Sequence, residues 1–393
     1  MRGALFLGWR YLAHHRFKTA VLLSAVTLMI FLPAATRLLV ADSALALTAR
    51  ADHTPLLIGA KGSQLELVLN ALYFHAERPP EISSQLLEDV RETGLATAIP
   101  LNTRFQARGA PIVGTSLDYF SFRGLDLAAG RMMGLLGECV IGANVARSQN
   151  VGVGDSLVSS PETVFDLAGV YPLKMNIAGV LEPSGSADDD AVFVDVRTTW
   201  VIQGLGHGHQ DLEKAGAGNA VLTRNEKAIT ANASLVQYNE ITADNVREFH
   251  FHGDTSGFPL SAVIAVPNDA KSSTLLRGRF QNGDIDGQLV LPRTVLGNLL
   301  ETVFTVQNYV ILGLVMLSLA TIAVITLVFL LSQQLRHGEF QTLKRMGASR
   351  GFVSTLVASE LGFVFLGSLL LAAALTWGAR NYATEFLLSF MTL

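Results

Sequence analysis

Residues 333–352 read QQLRHGEFQTLKRMGASRGF, a short polar and basic segment that separates two long apolar runs. The run before it, residues 303–331, contains no charged residue, and the run after it, residues 353–377, contains only Glu360. A helix of about 20 apolar residues crosses the hydrocarbon core of a bilayer, and each run reaches that length. The sequence therefore predicts a transmembrane helix on each side of the segment. We place these two helices at residues 303–332 and 352–377.

The segment between these helices, residues 333–351, is predicted to be cytoplasmic. It carries four basic residues against one acidic residue, Glu339; the basic residues are Arg336, Lys344, Arg345 and Arg350. Short loops rich in Lys and Arg stay on the cytoplasmic side of a membrane. Residues 340–346 are predicted to be helical. Gly347 and Ser349 are typical of a helix stop followed by a restart, with Ser349 as the N-cap of the next helix.

Composition indicates a membrane protein with a large water-facing domain. Half of the 393 residues are hydrophobic and 16% are charged, whereas roughly one quarter is usual for soluble domains. The apolar residues concentrate near the N-terminus and in the last quarter of the chain. A net charge of −4 gives no reason to expect nucleic acid as a partner. The one cysteine, Cys139, makes no intrachain disulfide and is predicted to be a small buried side chain.

The N-terminal residues predict a cytoplasmic amphipathic helix followed by a first transmembrane helix. Residues 1–18 alternate apolar with basic side chains, a pattern that suits a helix on the inner membrane surface. Residues 19–40 are long enough to span, and longer than the apolar region of a signal peptide. The basic residues that precede this helix hold the N-terminus in the cytoplasm.

Residues 41–302 are predicted to form an α+β domain outside the cytoplasm, because short β-rich runs alternate there with turns and a few helices. Residues 204–256, rich in Gly, Asn and His, resemble an insertion or flexible lobe. With three spans in total, the C-terminal tail of residues 378–393 is also expected outside. Helices are predicted at residues 64–74 and 81–93. A strand with its following loop is predicted at residues 56–63, and further strands at residues 97–99, 103–107, 112–115, 138–141, 156–159, 174–180, 191–195 and 262–266.

Two His-x-His-x-Asp sequences in this domain predict a transition-metal site. The first comprises His207, His209 and Asp211, and the second, 43 residues later, comprises His250, His252 and Asp254. Alternate residues of a strand project on one face, so both imidazoles of a pair can reach one ion. Imidazole suits Zn, Cu or Ni, and a carboxylate can complete the ligand shell. We therefore expect Zn²⁺ on this domain. The alternative is a set of polar loop histidines that bind no ligand.

Two acidic features have more than one interpretation. Glu360, in the last predicted helix, is either a functional charge inside the membrane or a residue that snorkels or lies at a dimer interface. Residues 188–190, three consecutive aspartates, are better explained as a solvated turn than as a calcium site.

No motif in the sequence predicts an enzyme. The phosphate-binding pattern Gly-x-x-x-x-Gly-Lys-Ser/Thr is absent, and residues 59–63, GAKGS, have glycines and a lysine at the wrong spacing. Neither Gly-x-Ser-x-Gly nor His-Glu-x-x-His occurs. We predict that this chain does not hydrolyse ATP by itself.

Several stretches, in order along the chain, resemble the MacB/FtsX-like permeases of ABC transporters. Residues 338–350, GEFQTLKRMGASR, are similar to the coupling segment of that family, Glu-Ile-x-x-Leu-Arg-Ala-Leu-Gly-Ala-Ser-Arg. The outer-domain signature of the family is similar to residues 114–120 (GTSLDYF), 123–125, 130–131, 140–146 (VIGANVA), 151–155 (VGVGD) and 177–181 (IAGVL).

The resemblance implies a type VII, or mechanotransmission, ABC transporter in a bacterial inner membrane. One membrane helix would precede a large two-lobed periplasmic domain, and the other helices would follow it. The permease would be a homodimer on two copies of a separate ATP-binding subunit, with a periplasmic binding or adaptor protein as a further partner. ATP-driven closing would move the coupling segment, whose matching residues are Glu339, Leu343, Lys344, Arg345, Met346, Gly347, Ala348 and Ser349. The family usually has four membrane helices, whereas this sequence predicts three.

The function we expect is that of a permease subunit with zinc or another transition metal as substrate. Two alternatives remain open at this point. The first is efflux, or extrusion of lipids or lipoproteins, with the histidines incidental. The second is a membrane-anchored regulator of a periplasmic hydrolase that transports nothing.

Overall fold

The computed structural model describes residues 2–75, 77–160, 172–208, 221–225, 228–231, 239–283 and 285–391. The chain forms two compact units, one of residues 1–48 with 297–393 and the other of residues 49–296. The helices are α1 (Arg2–His14), α2 (Arg16–Asp52), α3 (Gln64–Tyr73), α4 (Ser84–Glu92), α5 (Asp118–Arg123), α6 (Ala143–Gln149), α7 (Val196–Ile202), α8 (Ala270–Asn282), α9 (Pro292–Leu335), α10 (His337–Arg345) and α11 (Arg350–Met391).

The strands are β1 (Leu56–Gly59), β2 (Ile82–Ser83), β3 (Ala96–Ala107), β4 (Ala110–Thr115), β5 (Leu127–Gly130), β6 (Glu138–Ile141), β7 (Ser156–Val158), β8 (Lys174–Leu181), β9 (Val192–Asp195), β10 (Gly206–Gly208), β11 (Val221–Asn225), β12 (Ala228–Ala231), β13 (Phe249–Phe251), β14 (Pro259–Leu260), β15 (Ala262–Pro267) and β16 (Gln288–Val290). Short 3₁₀ helices cover Ala187–Asp190, Val246–Glu248 and Thr255–Gly257.

Three helices of the described chain are long and apolar enough to cross a membrane: α2, α9 and α11 from Arg350 to Asn381. Each contains a predicted span and extends beyond it. Helix α2 continues past residue 40 to Asp52 because residues 41–52 contain neither Gly nor Pro. Helix α9 begins at Pro292 rather than at residue 303, since proline is well tolerated in the first helical turn.

The prediction of a separate C-terminal tail at residues 378–393 needs correction. Helix α11 continues through Trp377 to Met391, so most of this stretch belongs to the last helix. The physical reason is that residues 379–391 contain no Gly or Pro that would end the helix.

The unit of residues 49–296 is built on a ten-stranded mixed sheet, which confirms the predicted α+β class. The strand order is β16-β1-β15-β3-β4-β9-β6-β8-β5, with β7 also paired to β8. Neighbours are antiparallel except β4 with β9 and β6 with β8. All nine predicted strands lie in or overlap strands of this sheet, and two of them are merged in β3.

Strand β3 is continuous where the sequence predicts two strands. Its first half pairs with β15 and its second half with β4, with a register shift between Asn102 and Phe105. Pro100 and Asn102 usually weaken a strand. Here Pro100 stays paired with Val263, and the amide of Thr103 donates to Ser261 Oγ.

Two hydrophobic clusters pack against the sheet. One gathers Leu56, Val263 and Leu276 around β1, β15 and α8, and the other gathers Ile141 and Val192 with neighbours on β4, β6, β8 and β9. Cys139 is fully buried in the second cluster, as predicted, and burial raises the pKa of its thiol to about 12.

The described parts of residues 204–256 add two ribbons outside the large sheet, β10 with β13 and β11 with β12. The predicted insertion or flexible lobe also falls on residues 209–220, 226–227 and 232–238, which lie outside the described residues. Strands β10 and β13 pair with each other, and Leu205, Ile241 and Phe251 pack into the two hydrophobic clusters of the domain. The alternate aromatic residues Phe249 and Phe251 of β13 face these clusters.

Candidate functional site

Strands β10 and β13 form an antiparallel ribbon with imidazoles on one face. His207 is paired with His250, while Gly206 lies opposite Phe251 and Gly208 opposite Phe249. Directly opposed residues share a face of a sheet, and successive residues alternate between faces. The phenylalanine rings therefore pack towards the hydrophobic clusters, and the histidines lie on the other face.

Glycine is required opposite each phenylalanine ring. A Cβ atom placed on Gly206 would lie 2.5 Å from Cδ1 of Phe251, and one on Gly208 would lie 2.5 Å from Cδ2 of Phe249. Both separations are far inside van der Waals contact. The Gly-His-Gly sequence of β10 thus lets two aromatic rings anchor the ribbon while the imidazole between the glycines faces outward.

Three imidazoles meet on the outward face: those of His207, His250 and His252. Their ring centroids are 5.1 Å (His207–His250), 4.7 Å (His207–His252) and 4.9 Å (His250–His252) apart. One nitrogen of each ring lies within 4.8 Å of the others, and the Nε2 atoms of His207 and His252 are 3.4 Å apart. His207 is half-buried and the other two are exposed. This spacing allows the three nitrogens to converge on one ion.

The predicted metal ligands are thus only partly brought together. His207 of the first sequence joins His250 and His252 of the second in one group. His209 and Asp211 lie outside the described residues. Asp254 has a different contact, because its carboxylate accepts hydrogen bonds from the backbone N–H of Ser256 (3.0 Å) and from Ser256 Oγ (2.6 Å). These hydrogen bonds hold the pKa of Asp254 below its usual value.

The second candidate region is the connection between α9 and α11. Helix α10 ends in a Schellman motif: the N–H of Ala348 donates to the carbonyl of Leu343 and the N–H of Gly347 to that of Lys344, both at 3.0 Å. Gly347 has a φ of 94°, a left-handed conformation that favours glycine. Ser349 then caps α11 through Oγ, which accepts from the N–H of Phe352 at 3.1 Å. The predicted stop and restart is confirmed.

The side chains of the connection divide between two environments. Leu343 packs against a small hydrophobic cluster of Ala4, Phe340 and Leu356, and is half-buried. Met346 is 72% exposed, and Lys344 and Arg345 are exposed beside it. Leu343 and Met346 thus differ in exposure, and the most exposed surface lies at the C-terminal end of α10.

A buried ion pair holds this connection to the helices around it. Arg336 Nη1 donates to both oxygens of Glu360 at 2.9 Å, and its guanidinium lies 3.6 Å from the ring centroid of Tyr11. Arg336 is 8% exposed and Glu360 is 4% exposed. Because Tyr11 belongs to α1 and Glu360 to α11, one guanidinium joins three helical segments. The carboxylate of Glu360 thus has a counter-ion within the chain.

The sequence also carries a family match. The MacB-like periplasmic core domain matches residues 26–238, more than half of the chain. This chain belongs to the MacB-like periplasmic core domain family. The match confirms the resemblance to MacB/FtsX-like ABC transporter permeases that residues 114–181 carry.

Two solved structures are also similar to this MacB-like chain. The periplasmic region of MacB from Actinobacillus actinomycetemcomitans is 10% identical with a TM-score of 0.35, and the match covers 65% of this chain and 97% of that one. The extracellular domain of YknZ, a noncanonic ABC-type transporter from Gram-positive bacteria, is 13% identical with a TM-score of 0.33, covering 60% and 98%. No curated protein matches the chain significantly. The family assignment rests on the match over residues 26–238.

One polar group inside the MacB-like domain was missed by sequence reasoning. Arg50, near the end of α2, donates from Nη2 to Asp188 Oδ1 at 2.8 Å and to the hydroxyl of Tyr119 at 2.7 Å. That hydroxyl donates in turn to Asp188 at 2.7 Å. Burial by itself would raise the pKa of Asp188, but the hydrogen bonds and charge of Arg50 outweigh it and lower the pKa.

The three consecutive aspartates form neither a calcium site nor a solvated turn. Asp188 is bound to Arg50; Asp189 accepts from the N–H groups of Ser184 and Gly185, each at 2.8 Å; and Asp190 accepts from Asn144 at 2.9 Å. Asp188 and Asp189 are buried. An unpaired arginine in the helix that leads into the domain was the available signal for a buried acidic partner.

The glycine-rich residues 59–63 have a structural role in this MacB-like domain. Lys61 pairs with Asp286 at 2.8 Å, and Ser63 caps α3 by accepting from the N–H of Glu66.

Proposed function

We propose that this chain is the membrane subunit of a MacB-like ABC transporter and that a separate ATPase subunit drives it. The observation that carries the proposal is the position of the MacB-like domain in the chain. The match begins within α2, and most of it falls in the unit of residues 49–296, which stands between two helices of membrane-spanning length, α2 and α9. Helix α9 leads into the short basic helix α10 and then into α11. We place the chain in a bacterial inner membrane, with α10 in the cytoplasm and the MacB-like domain in the periplasm.

The helices supply a means of coupling. The chain passes from one unit to the other at residues 48–49, inside α2, and at residues 296–297, inside α9. Helices of 37 and 44 residues are about 55 and 66 Å long, roughly twice the hydrocarbon thickness of a bilayer. A displacement at α10 would therefore reach the periplasmic domain through continuous helices. We assign the ATPase contact to the exposed end of α10, at Lys344, Arg345 and Met346.

Partners follow from the same arrangement. No side chain is buried in the most apolar 18-residue window of α9, so this helix offers an apolar surface to lipid and to a second copy of the chain. We propose a homodimer in the bilayer with two copies of the ATPase, which binds the ATP. A periplasmic binding or adaptor protein would meet the outer domain.

As cargo we propose a transition metal ion, with zinc first. The three imidazoles of the β10–β13 ribbon support this choice over extrusion of lipids or lipoproteins and over regulation of a hydrolase. An apolar groove on the outer domain would favour lipid, and a docking surface for an enzyme would favour regulation.

The proposal is tested by asking whether an ATPase accompanies the full chain. The tagged chain is purified in detergent from its own host, and ATP hydrolysis and the bound subunits are measured. We expect an ATP-binding subunit to co-purify, and Met346→Asp to remove it by placing a charge on the exposed contact. Leu117→Asp, the same kind of change at a 53% exposed leucine of the outer domain, is the matched control and should retain the ATPase. Absence of any ATP-hydrolysing subunit from the unchanged protein would refute the coupled permease.

A further inference from the structure

We infer that His207, His250 and His252 form a three-imidazole site for Zn²⁺ with one coordination position open to a ligand from outside the protein. The inference deepens the proposed metal cargo and rests on it for the place of the site in transport. Metal binding itself depends only on the ribbon. His207 comes from the first His-x-His-x-Asp sequence, and His250 and His252 come from the second.

The nitrogen positions match the geometry of zinc. With Zn–N bonds of about 2.0–2.1 Å in a tetrahedral shell, two ligand nitrogens lie about 3.4 Å apart. The Nε2 atoms of His207 and His252 are 3.4 Å apart. The third imidazole needs a side-chain adjustment of about an ångström, since the group as a whole fits within 4.8 Å. His250 and His252 are exposed and have room for that movement.

The ribbon holds the ligands in place before an ion arrives. His207 and His250 are directly paired across two strands, and Phe251 is fixed between Trp200 and Phe258, with ring centroids 6.2 and 5.9 Å away. Nδ1 of His250 lies 3.1 Å from the carbonyl oxygen of Glu248. A ligating histidine commonly donates its other ring N–H to a carbonyl or carboxylate, which orients the ring and leaves the second nitrogen for the metal.

The types of ligand determine which ion the site binds and whether that ion keeps a coordination position open to solvent. Three neutral nitrogens suit zinc or copper and not calcium or magnesium, which take oxygen ligands. Structural zinc sites are closed by four protein ligands, whereas sites with three histidines keep a fourth position for water or substrate. Within the described residues the group contains three imidazoles and no carboxylate. A bound ion would keep its full charge and favour an anionic fourth ligand, which suits a surface site where an ion is received and passed on.

Metal binding to the full chain in detergent tests the inference. Chelator-stripped protein is titrated with Zn²⁺ against a chromophoric chelator, with Mg²⁺ and Ca²⁺ as comparison ions. We expect one Zn²⁺ per chain. His207→Ala, His250→Ala and His252→Ala should each weaken binding by about tenfold or more. His53→Ala removes a histidine outside the group, whose Nδ1 lies 2.7 Å from the carbonyl oxygen of Ala49, and should change nothing. Zinc binding that survives the triple variant would overturn the site.

The open position has its own readout. Co²⁺ replaces Zn²⁺, and its visible spectrum is recorded while azide, an anionic ligand, is added. A spectral change that saturates as azide is added supports an exchangeable fourth ligand. Loss of zinc affinity in His209→Ala or Asp211→Ala, equal to that in His207→Ala, would show a closed four-ligand site and overturn the open position. The triple variant should still co-purify with the ATPase. Zinc binding therefore tests the metal site, and co-purification of the ATPase separately tests the permease proposal.

Discussion

Arg50 is the buried cation through which the end of α2 binds the MacB-like domain. Its guanidinium forms a two-point ion pair with Asp188, and the two side chains are 8% and 2% exposed. Removing one partner of such a pair leaves an uncompensated buried charge and costs about 3–5 kcal/mol. We expect Arg50→Ala and Asp188→Ala each to destabilise the full chain by about this amount in detergent. Thermal unfolding, followed by the tryptophan fluorescence of the full chain, measures the loss.

The double variant Arg50→Met with Asp188→Leu separates a charge effect from a packing effect. Replacing both ions with apolar side chains is often close to neutral, so this variant should be more stable than either alanine variant. Equal destabilisation in all three would mean that packing, not charge, holds the helix end.

The dependence of stability on pH in acid provides a second measurement of the Arg50–Asp188 ion pair. The pKa of Asp188 is lowered in the folded chain, whereas an unfolded aspartate has a pKa of about 3.9. The contribution of the pair is therefore complete above pH of about 4 and is lost as pH falls through the lower, folded pKa. In Asp188→Asn this part of the acid dependence should be absent.

The turn between α10 and α11 depends on a left-handed glycine, Gly347, whose contribution to stability and to ATPase binding can be tested. Gly347 has a φ of 94°, which costs a residue with a Cβ about 1–2 kcal/mol. Gly338 lies inside α10, and a Cβ added there would have no heavy atom within 4 Å; glycine is less favourable than alanine in a helix by about 1 kcal/mol. We expect Gly347→Ala to lower the unfolding temperature and weaken ATPase retention, and Gly338→Ala to raise or preserve both. The same response in both variants would argue against a specific role for the turn.

At the level of elements, the sequence predicted the helices and strands that depend on residues within one segment. The apolar runs predicted the three long helices, and alternating apolar residues predicted most strands of the large sheet. Strand β10 was not predicted because Gly-His-Gly contains no apolar residue; the rings that bury its inner face belong to Phe249 and Phe251 of β13. The histidine group was predicted in composition but not in pairing, since the register of His207 against His250 is set by a strand more than 40 residues away.

At the scale of the whole molecule, the charge pattern and the helices predict opposite locations for α10 and the MacB-like domain. Cys139 allows a direct test, because it is fully buried and burial raises the pKa of its thiol to about 12, so it should not react with maleimides at neutral pH. Val153→Cys and Met346→Cys place single reactive thiols at positions that are 50% and 72% exposed.

A membrane-impermeant maleimide applied to intact spheroplasts should label the Val153→Cys variant and leave the Met346→Cys variant unlabelled until the membrane is opened with detergent. The unchanged chain, with Cys139 alone, should remain unlabelled in both conditions and serves as the control. This expectation follows from the proposed topology, in which the short basic segment of α10 is cytoplasmic and α9 crosses the bilayer once before the domain of residues 49–296. Labelling of both thiols in intact spheroplasts would place α10 outside, where no ATPase could reach it, and the coupled permease would have to be abandoned while the histidine site remained.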